Sequence, residues 1–339
     1  MSTDVPVGYT LPKARRFGHA RKGAHPVLTL CALAIATLAC AALPDSASDF
    51  SVTVEPALSR AASIAVRDID ACRSGPAFVP DSVGHYDGIW LTDSVFTADA
   101  YRYTGADCRD RLRAVVTKFA AAQEPDGNIP MAFWGKEGVP DFGVRYDLAQ
   151  DRKQNRDMES AYTFTHACHV LWKCYADRSF VVQQLPAVRR ALASLEVRRD
   201  AGTGLILATY GPPNSDVSID HAVPRTTAHV YFNILYVAAY REASELEADL
   251  GANAEARSCR ARSAELRGAI NRHLWIKARG RYEPAILRTP VTTDAAMQAC
   301  AVRSDTRFPV VDNMMALVYE IPDSATRAGR LMQSIAKSE

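Results

Sequence analysis

The sequence predicts an all-α protein built of helical hairpins stacked around a common core. Three observations carry that reading. Beyond residue 84, apolar residues recur mainly at i, i+3, i+4 and i+7, the period of an amphipathic helix and not the alternation of a strand. The stripes come in consecutive pairs. After each pair stands a glycine with an apolar residue behind it, at Gly127-Asn128-Ile129, Gly204-Leu205-Ile206 and Gly280-Arg281-Tyr282, 77 and then 76 residues apart. A fixed period made of helix pairs marks repeated αα-hairpins, none of which buries its apolar face alone.

The chain opens on a targeting pattern. Lys13, Arg15, Arg16, Arg21 and Lys22 precede an uncharged stretch from Val27 to Leu43, and Ala39-Cys40-Ala41 offers a small-x-small cleavage site. Residues 1–44 therefore read as a signal peptide or an N-terminal membrane anchor through residues 27–43, and the rest as exported. Cys40 is a weak lipidation site, because Thr37 stands where an aliphatic residue is wanted. Residues 45–83 read as a linker and a leading helix over 56–72, and residues 84–339 as one domain.

Within that domain five stripes follow in order. Leu112, Val115, Val116, Phe119 and Ala122 form one, and Phe164, Cys168, Leu171, Trp172 and Tyr175 the next. Val181, Leu185, Val188, Leu192 and Leu195 form a third. Ala228, Tyr231, Phe232, Leu235, Ala238, Ala239 and Leu246 mark a long fourth, ending near Gly251, and Cys259, Leu266, Ile270 and Leu274 a fifth. The segments 127–157, 200–225 and 280–311 are too long for solenoid connections, and loops of that length usually line a site. An open α-solenoid is the alternative to a ring.

Composition narrows the function. Of the 339 residues 48% are hydrophobic, enough for a sizeable core, and the formal net charge of +2 gives no reason to expect nucleic acid. No phosphate-loop motif, HExxH or close Cys/His pairing is present, so no metal and no cofactor are expected. Cys72, Cys108, Cys168, Cys174, Cys259 and Cys300 follow the leader. Export permits disulfides, yet most of these fall in helical stripes, where a thiol is a small buried hydrophobe. Cys168 and Cys174, six apart on one helix, are not expected to pair.

Four segments carry a resemblance. They are Trp90-Leu91-Thr92-Asp93-Ser94 with Tyr101-Arg102-Tyr103-Thr104-Gly105, Gln123-Glu124-Pro125-Asp126-Gly127-Asn128-Ile129-Pro130, Asn271-Arg272-His273-Leu274-Trp275 through Gly280-Arg281-Tyr282, and Val311-Asp312-Asn313-Met314-Met315-Ala316-Leu317. In order and spacing they resemble the six-hairpin glycosidases: glucoamylases, glycogen-debranching glucosidases, α-L-rhamnosidases and mannosylglycerate hydrolases. The likeness spans roughly residues 84–339. It implies an (α/α)6-type toroid acting on carbohydrate. One departure stands out, since debranching-type members usually have Arg where this chain has Thr92.

A sugar ring has an apolar face and a rim of hydroxyls, so its site wants an aromatic platform and fixed carboxylates. Trp90 and Asp93, one helical turn apart, supply both, and the resemblance implies that Asp93 holds sugar hydroxyls. The plainer reading makes Thr92 or Asp93 an N-cap and Trp90 core. The loop Tyr210-Gly211-Pro212-Pro213-Asn214-Ser215-Asp216-Val217-Ser218-Ile219-Asp220 resembles the one carrying the general acid, which makes Asp216 the candidate acid with Asp220 behind it and Tyr210 as a sugar contact. An ordinary turn of Pro, Asn, Ser and Asp is the alternative. Asp87 and Glu159 are further candidate substrate contacts, with Glu159 also explained by a helix start. Trp134 is a candidate platform or a core residue, and His166, His169 and His229 read as core or surface histidines.

About eight helices follow residue 90, four hairpins of the six that close such a toroid. The later hairpins commonly supply the catalytic base, so this chain alone is expected to be weakly active or inactive. The expected function is an inverting glycoside hydrolase acting on an exported oligo- or polysaccharide. Two alternatives stay open: a glycan-binding or inactive module, and a polysaccharide lyase or sugar epimerase using His221 or Tyr210 as base.

Overall fold

The structure is a computed structural model. It describes residues 56–74, 77–78, 88–103, 106–134, 144–146, 159–208, 227–283, 285–287 and 310–337, all within one compact unit, Val54–Glu339. The expected leader and most of the expected linker lie outside the described residues.

Among the described residues a leading helix, α1 (Pro56–Ala71), precedes four hairpins. These are α2 (Leu91–Arg102) with α3 (Arg109–Ala121), α4 (Ser160–Lys173) with α5 (Arg178–Glu196), α6 (Val230–Asp249) with α7 (Asn253–His273), and α8 (Val310–Val318) with α9 (Ala325–Ala336). The first helix of each pair packs on the first helix of the next, so α2, α4, α6 and α8 form a continuous inner wall. Their partners pack outside. The chain is therefore the all-α, toroid-type architecture that the helix-pair period predicts.

Burial follows from the sequence of each layer. The middle of the inner wall, α6, is buried nearly all round, from Val230 through Tyr240 without a break, as befits a helix with no polar stripe. Its outer partner α7 buries only Ala256, Leu266, Ala269, Ile270 and Asn271 and turns its arginines outward. Sequence stripes and buried faces coincide: Leu112, Val115, Val116 and Phe119 on α3, and Val181, Leu185, Val188, Leu192 and Leu195 on α5, are all core.

The inner helices run parallel. His166 meets Glu242, His169 meets Glu245 and Lys173 meets Asp249, each pair 76 residues apart, so partner numbers rise together along α4 and α6. That separation equals the second interval between the repeat glycines. The glycines themselves adopt left-handed backbone, with φ of 91° at Gly127, 75° at Gly204 and 63° at Gly280, which a side chain disfavours. Behind them Ile129, Leu205, Ile206 and Tyr282 are buried, at 1% exposure or less.

Short strands were not expected and form at the loops. Strands β1 (Arg73–Ser74) and β2 (Ala77–Phe78) pair, as do β6 (Thr227–His229) with β9 (Ala285–Leu287) and β7 (Trp275–Ile276) with β8 (Arg281–Tyr282). A three-stranded antiparallel ribbon joins β3 (Gly88–Trp90), β4 (Ala132–Trp134) and β5 (Val144–Tyr146). Two- and three-residue pairs have too little alternation to show in a sequence; they satisfy backbone groups where long loops meet the helix starts. Cys168, Cys174 and Cys259 are free thiols. Among the described residues no helix is long and apolar enough to cross a membrane.

Candidate functional site

Parallel inner helices put all their N-termini at one end, and the long loops lead into that end. Four sequence segments far apart therefore share a rim: Trp90–Asp93, Glu159–Ser160, His229–Tyr231 and Val310–Asn313. Exposed backbone N–H groups and the helix dipoles make such a rim favourable for acidic groups.

Trp90 ends β3 and occupies the N-cap position of α2 with extended backbone, and it makes no side-chain cap. Its strand is paired with β4, Trp90 opposite Ala132 and Gly88 opposite Trp134, so both candidate platforms belong to one ribbon. Phe133, between them in register, is core, edge-on to Phe119 at 4.9 Å. Asp93 lies in the first turn of α2 and does not cap it. Its side chain stays partly accessible while the carboxyl sits among protein atoms. Burial raises its pKa to about 6, with its own backbone hydrogen bond opposing the rise.

Glu159 is the N-cap residue of α4, yet its side chain accepts nothing from that helix's backbone. The carboxylate turns sideways. Thr92 Oγ1 donates to Glu159 Oε2 at 3.2 Å, from the first turn of the neighbouring inner helix. Tyr231, on the first turn of α6, lies close enough on the other side for the Glu159 charge to act on its hydroxyl. Burial raises the Tyr231 pKa well above the ordinary phenol value, with Glu159, Tyr319 and Asp312 adding to the rise. Glu159 is only 6% exposed. Thr92 thus supplies a hydroxyl to the Glu159 carboxylate across two inner helices.

Asp312, on the first turn of α8, is buried at 1% exposure. Sequence reasoning included it in a resembling segment but not among the site residues. The available signal was its place in the first turn of the fourth inner helix. Its neighbour Asn313 works structurally, accepting from Tyr282 N–H at 2.9 Å and donating to Tyr282 C=O at 3.3 Å. His229 caps the start of α6 by position, is 1% exposed, and has no hydrogen-bond partner on either ring nitrogen among the described residues. Burial depresses its pKa to about 3, so the ring is neutral.

Below the rim a second polar cluster crosses the wall. Tyr162 and Tyr319 share a hydrogen bond of 2.7 Å, and Tyr162 stacks on His166 at 5.5 Å. His166 lies between Glu242 at 2.9 Å and Asp99 at 3.6 Å. Burial opposes its charge, but Glu242 and Asp99 together overcome that and raise its pKa to about 10. The reading of His166 and His169 as plain core or surface histidines misses these carboxylate partners, which arrive from other helices.

The structure thus brings Asp93 and Glu159 to one rim and sets Trp90 at its edge. Asp87, Tyr210, Asp216, Asp220 and His221 lie outside the described residues. Of Trp134 only the backbone position is described.

A wall of parallel inner helices with outer partners is the helical-toroid arrangement of the six-hairpin glycosidases. The family described as mannosylglycerate hydrolase MGH1-like glycoside hydrolase domain matches residues 86–338, and the chain belongs to it. A comparison with curated proteins finds no match. Among solved structures, a GH78 rhamnosidase of Bacillus sp. GL1 is similar with a TM-score of 0.55 at 16% identity, over 73% of this chain and 22% of that one. The GH63 mannosylglycerate hydrolase of Thermus thermophilus is similar with a TM-score of 0.53 at 16% identity, over 80% of this chain and 75% of that one. A sugar epimerase from a ruminal bacterium has a TM-score of 0.52 at 13% identity, over 91% of this chain and 74% of that one. The chain spans about a fifth of the rhamnosidase's length and about three quarters of the other two. At these identities the likeness is one of fold.

Proposed function

We propose that the domain binds an exported oligo- or polysaccharide at the rim and hydrolyses a glycosidic bond with inversion. One observation carries the reading: the Glu159 carboxylate, at a helix start where it would ordinarily cap, instead accepts a hydrogen bond from Thr92 on the neighbouring inner helix. The carboxylate is suited to sugar hydroxyls, with Asp93 and Asp312 beside it and Trp90 as platform.

Inverting hydrolysis needs a carboxylic acid that protonates the leaving oxygen. A carboxylate on the opposite side, about 6.5–9.5 Å away, takes a proton from the attacking water. Asp216 is the candidate acid, with Asp220 behind it, and Tyr210, Asp87 and Trp134 complete the sugar contacts. Export rests on the basic residues Lys13 to Lys22 ahead of the apolar stretch Val27 to Leu43, with cleavage or anchoring through residues 27–43.

The test uses the full chain with aryl glycosides and oligosaccharides, scoring binding by calorimetry and turnover by product release. Asp216→Asn is expected to keep binding and lose turnover, and Glu159→Gln to lose binding. Turnover by Asp216→Asn equal to that of the parent, with loss in His221→Ala, would replace hydrolysis by lyase or epimerase chemistry. Binding without turnover in the parent would reduce the function to glycan recognition.

A further inference from the structure

We propose that His166 and His169 on α4, with Glu242 and Glu245 on α6, form a binding site for a divalent transition-metal ion, zinc being the best match. It lies outside the rim and does not depend on the sugar reading. His166 is seven residues into the wall from Glu159, roughly 10 Å along the helix.

The geometry comes from two helices running parallel. His166 and His169 are three apart on α4, Glu242 and Glu245 three apart on α6, and that spacing puts each pair on one helix face. The faces meet: His166 Nδ1 lies 2.9 Å from Glu242 Oε1 and His169 Nε2 lies 3.0 Å from Glu245 Oε2. One ligand atom from each of His166, His169 and Glu242 falls within 4.8 Å of the others. Small side-chain rotations would bring such a set onto one ion at the usual 2.0–2.2 Å. Glu245, exposed and also 3.8 Å from Lys173 Nζ, would have to swing inward to serve as the fourth ligand beside His169.

Two further observations point to an ion. Glu242 is buried, and its second oxygen has no hydrogen-bond partner among the described residues. A buried carboxylate oxygen of that kind lacks the compensation such groups ordinarily find. On the far side of the His166 ring, Asp99 Oδ2 faces Nε2 at 3.6 Å and is itself held by Arg102 at 2.5 Å. A carboxylate behind a histidine fixes the tautomer that leaves the other nitrogen's lone pair for a metal. Two imidazoles and two carboxylates suit Zn2+ among common divalent ions, while Mg2+ and Ca2+ would want oxygen ligands throughout. On binding, the proton shared by His166 Nδ1 and Glu242 leaves to solvent, the Nε2 proton stays on the ring facing Asp99, and the ion replaces the direct His–Glu contacts. It would clamp two inner helices of the ring together.

The experiment titrates tag-free, chelator-stripped full chain with Zn2+ by calorimetry and records the melting temperature with and without the ion. Co2+ serves as a spectroscopic probe of four-coordinate geometry. The expectation is one saturable equivalent, a rise in melting temperature, and a Co2+ spectrum of tetrahedral type. His169→Ala, at a partly exposed position, and Glu242→Gln, which keeps the side-chain shape, each weaken binding about tenfold or more. His169→Ala leaves the melting temperature of the metal-free protein nearly unchanged. No saturable binding by the parent, or undiminished affinity in both variants, means that the cluster is a set of ion pairs stapling α4 to α6, and the proposal is wrong.

Discussion

Asn233 holds Ile206 at both ends of its peptide unit: the side-chain oxygen accepts the Ile206 N–H at 2.8 Å and the side-chain nitrogen donates to its C=O at 3.0 Å. One repeat later Asn313 holds Tyr282 in the same way. Each asparagine stands on an inner helix and grips the buried residue just behind a repeat glycine. The turn that ends one hairpin is thereby fastened to the helix that begins the next. Asn233→Ala leaves a buried N–H and C=O unpaired, and a loss of about 2–4 kcal/mol is expected in denaturant unfolding. An unchanged midpoint would show that the turn is held by packing alone.

Gly127 and Gly251 separate two demands on glycine. Both have left-handed backbone, φ 91° and 77°, but a Cβ at Gly127 would lie 2.1 Å from Arg190 O, whereas one at Gly251 meets nothing within 4 Å. Gly251→Ala is expected to cost about 1–2 kcal/mol from backbone strain alone. Gly127→Ala must also push α5 away from the turn, so a much larger fall in melting temperature or loss of soluble protein is expected. Equal effects would refute the close approach.

Asp93 predicts a pH dependence. Its folded pKa, raised to about 6, lies above its unfolded value near 3.9. Between those values the native state holds the proton more tightly, so this residue's contribution to stability improves as pH falls through about 6 and is unfavourable at neutral pH. The magnitude is on the order of 2 kcal/mol, after allowance for partial accessibility. Asp93→Asn is expected to raise the melting temperature at pH 8 and to flatten its change between pH 7 and 5. The same variant should weaken oligosaccharide binding. A lower melting temperature at pH 8 would count against the buried-carboxyl account.

Thr92 and Glu159 predict a split between stability and binding. Thr92→Val removes a side-chain donor to a buried carboxylate, which is expected to cost about 1–3 kcal/mol in unfolding. Glu159→Gln keeps the shape and the Thr92 contact, so its melting temperature should stay close to that of the parent while sugar affinity falls. If Glu159→Gln binds sugar as the parent does, Glu159 is structural.

Much of the fold was legible because its signals are local. Leu112 to Phe119, Val181 to Leu195 and Tyr231 to Leu246 announce buried faces by period alone. Gly127, Gly204 and Gly280 announce the repeat by spacing. The strands were not legible: Trp90 pairing with Ala132 depends on two segments meeting, and three-residue pairs leave no alternation to read. At the site, Trp90, Asp93 and Glu159 could be named from helix starts and motif likeness. Asp312 was passed over because an acidic first turn is common. The partners of His166 could not be seen at all, since Asp99 and Glu242 sit 67 and 76 residues away.

What the chain determines by itself is the inventory: paired amphipathic helices at a constant interval, glycines where the backbone must turn left-handed, and acidic residues at helix starts. Each follows from short-range backbone and side-chain preferences. Only the tertiary structure decided which of those acids share a rim, that Glu159 turns sideways to Thr92, and that two histidines of α4 face two glutamates of α6. Those outcomes depend on the parallel register of neighbouring inner helices, which is set by packing the apolar faces of all the hairpins together.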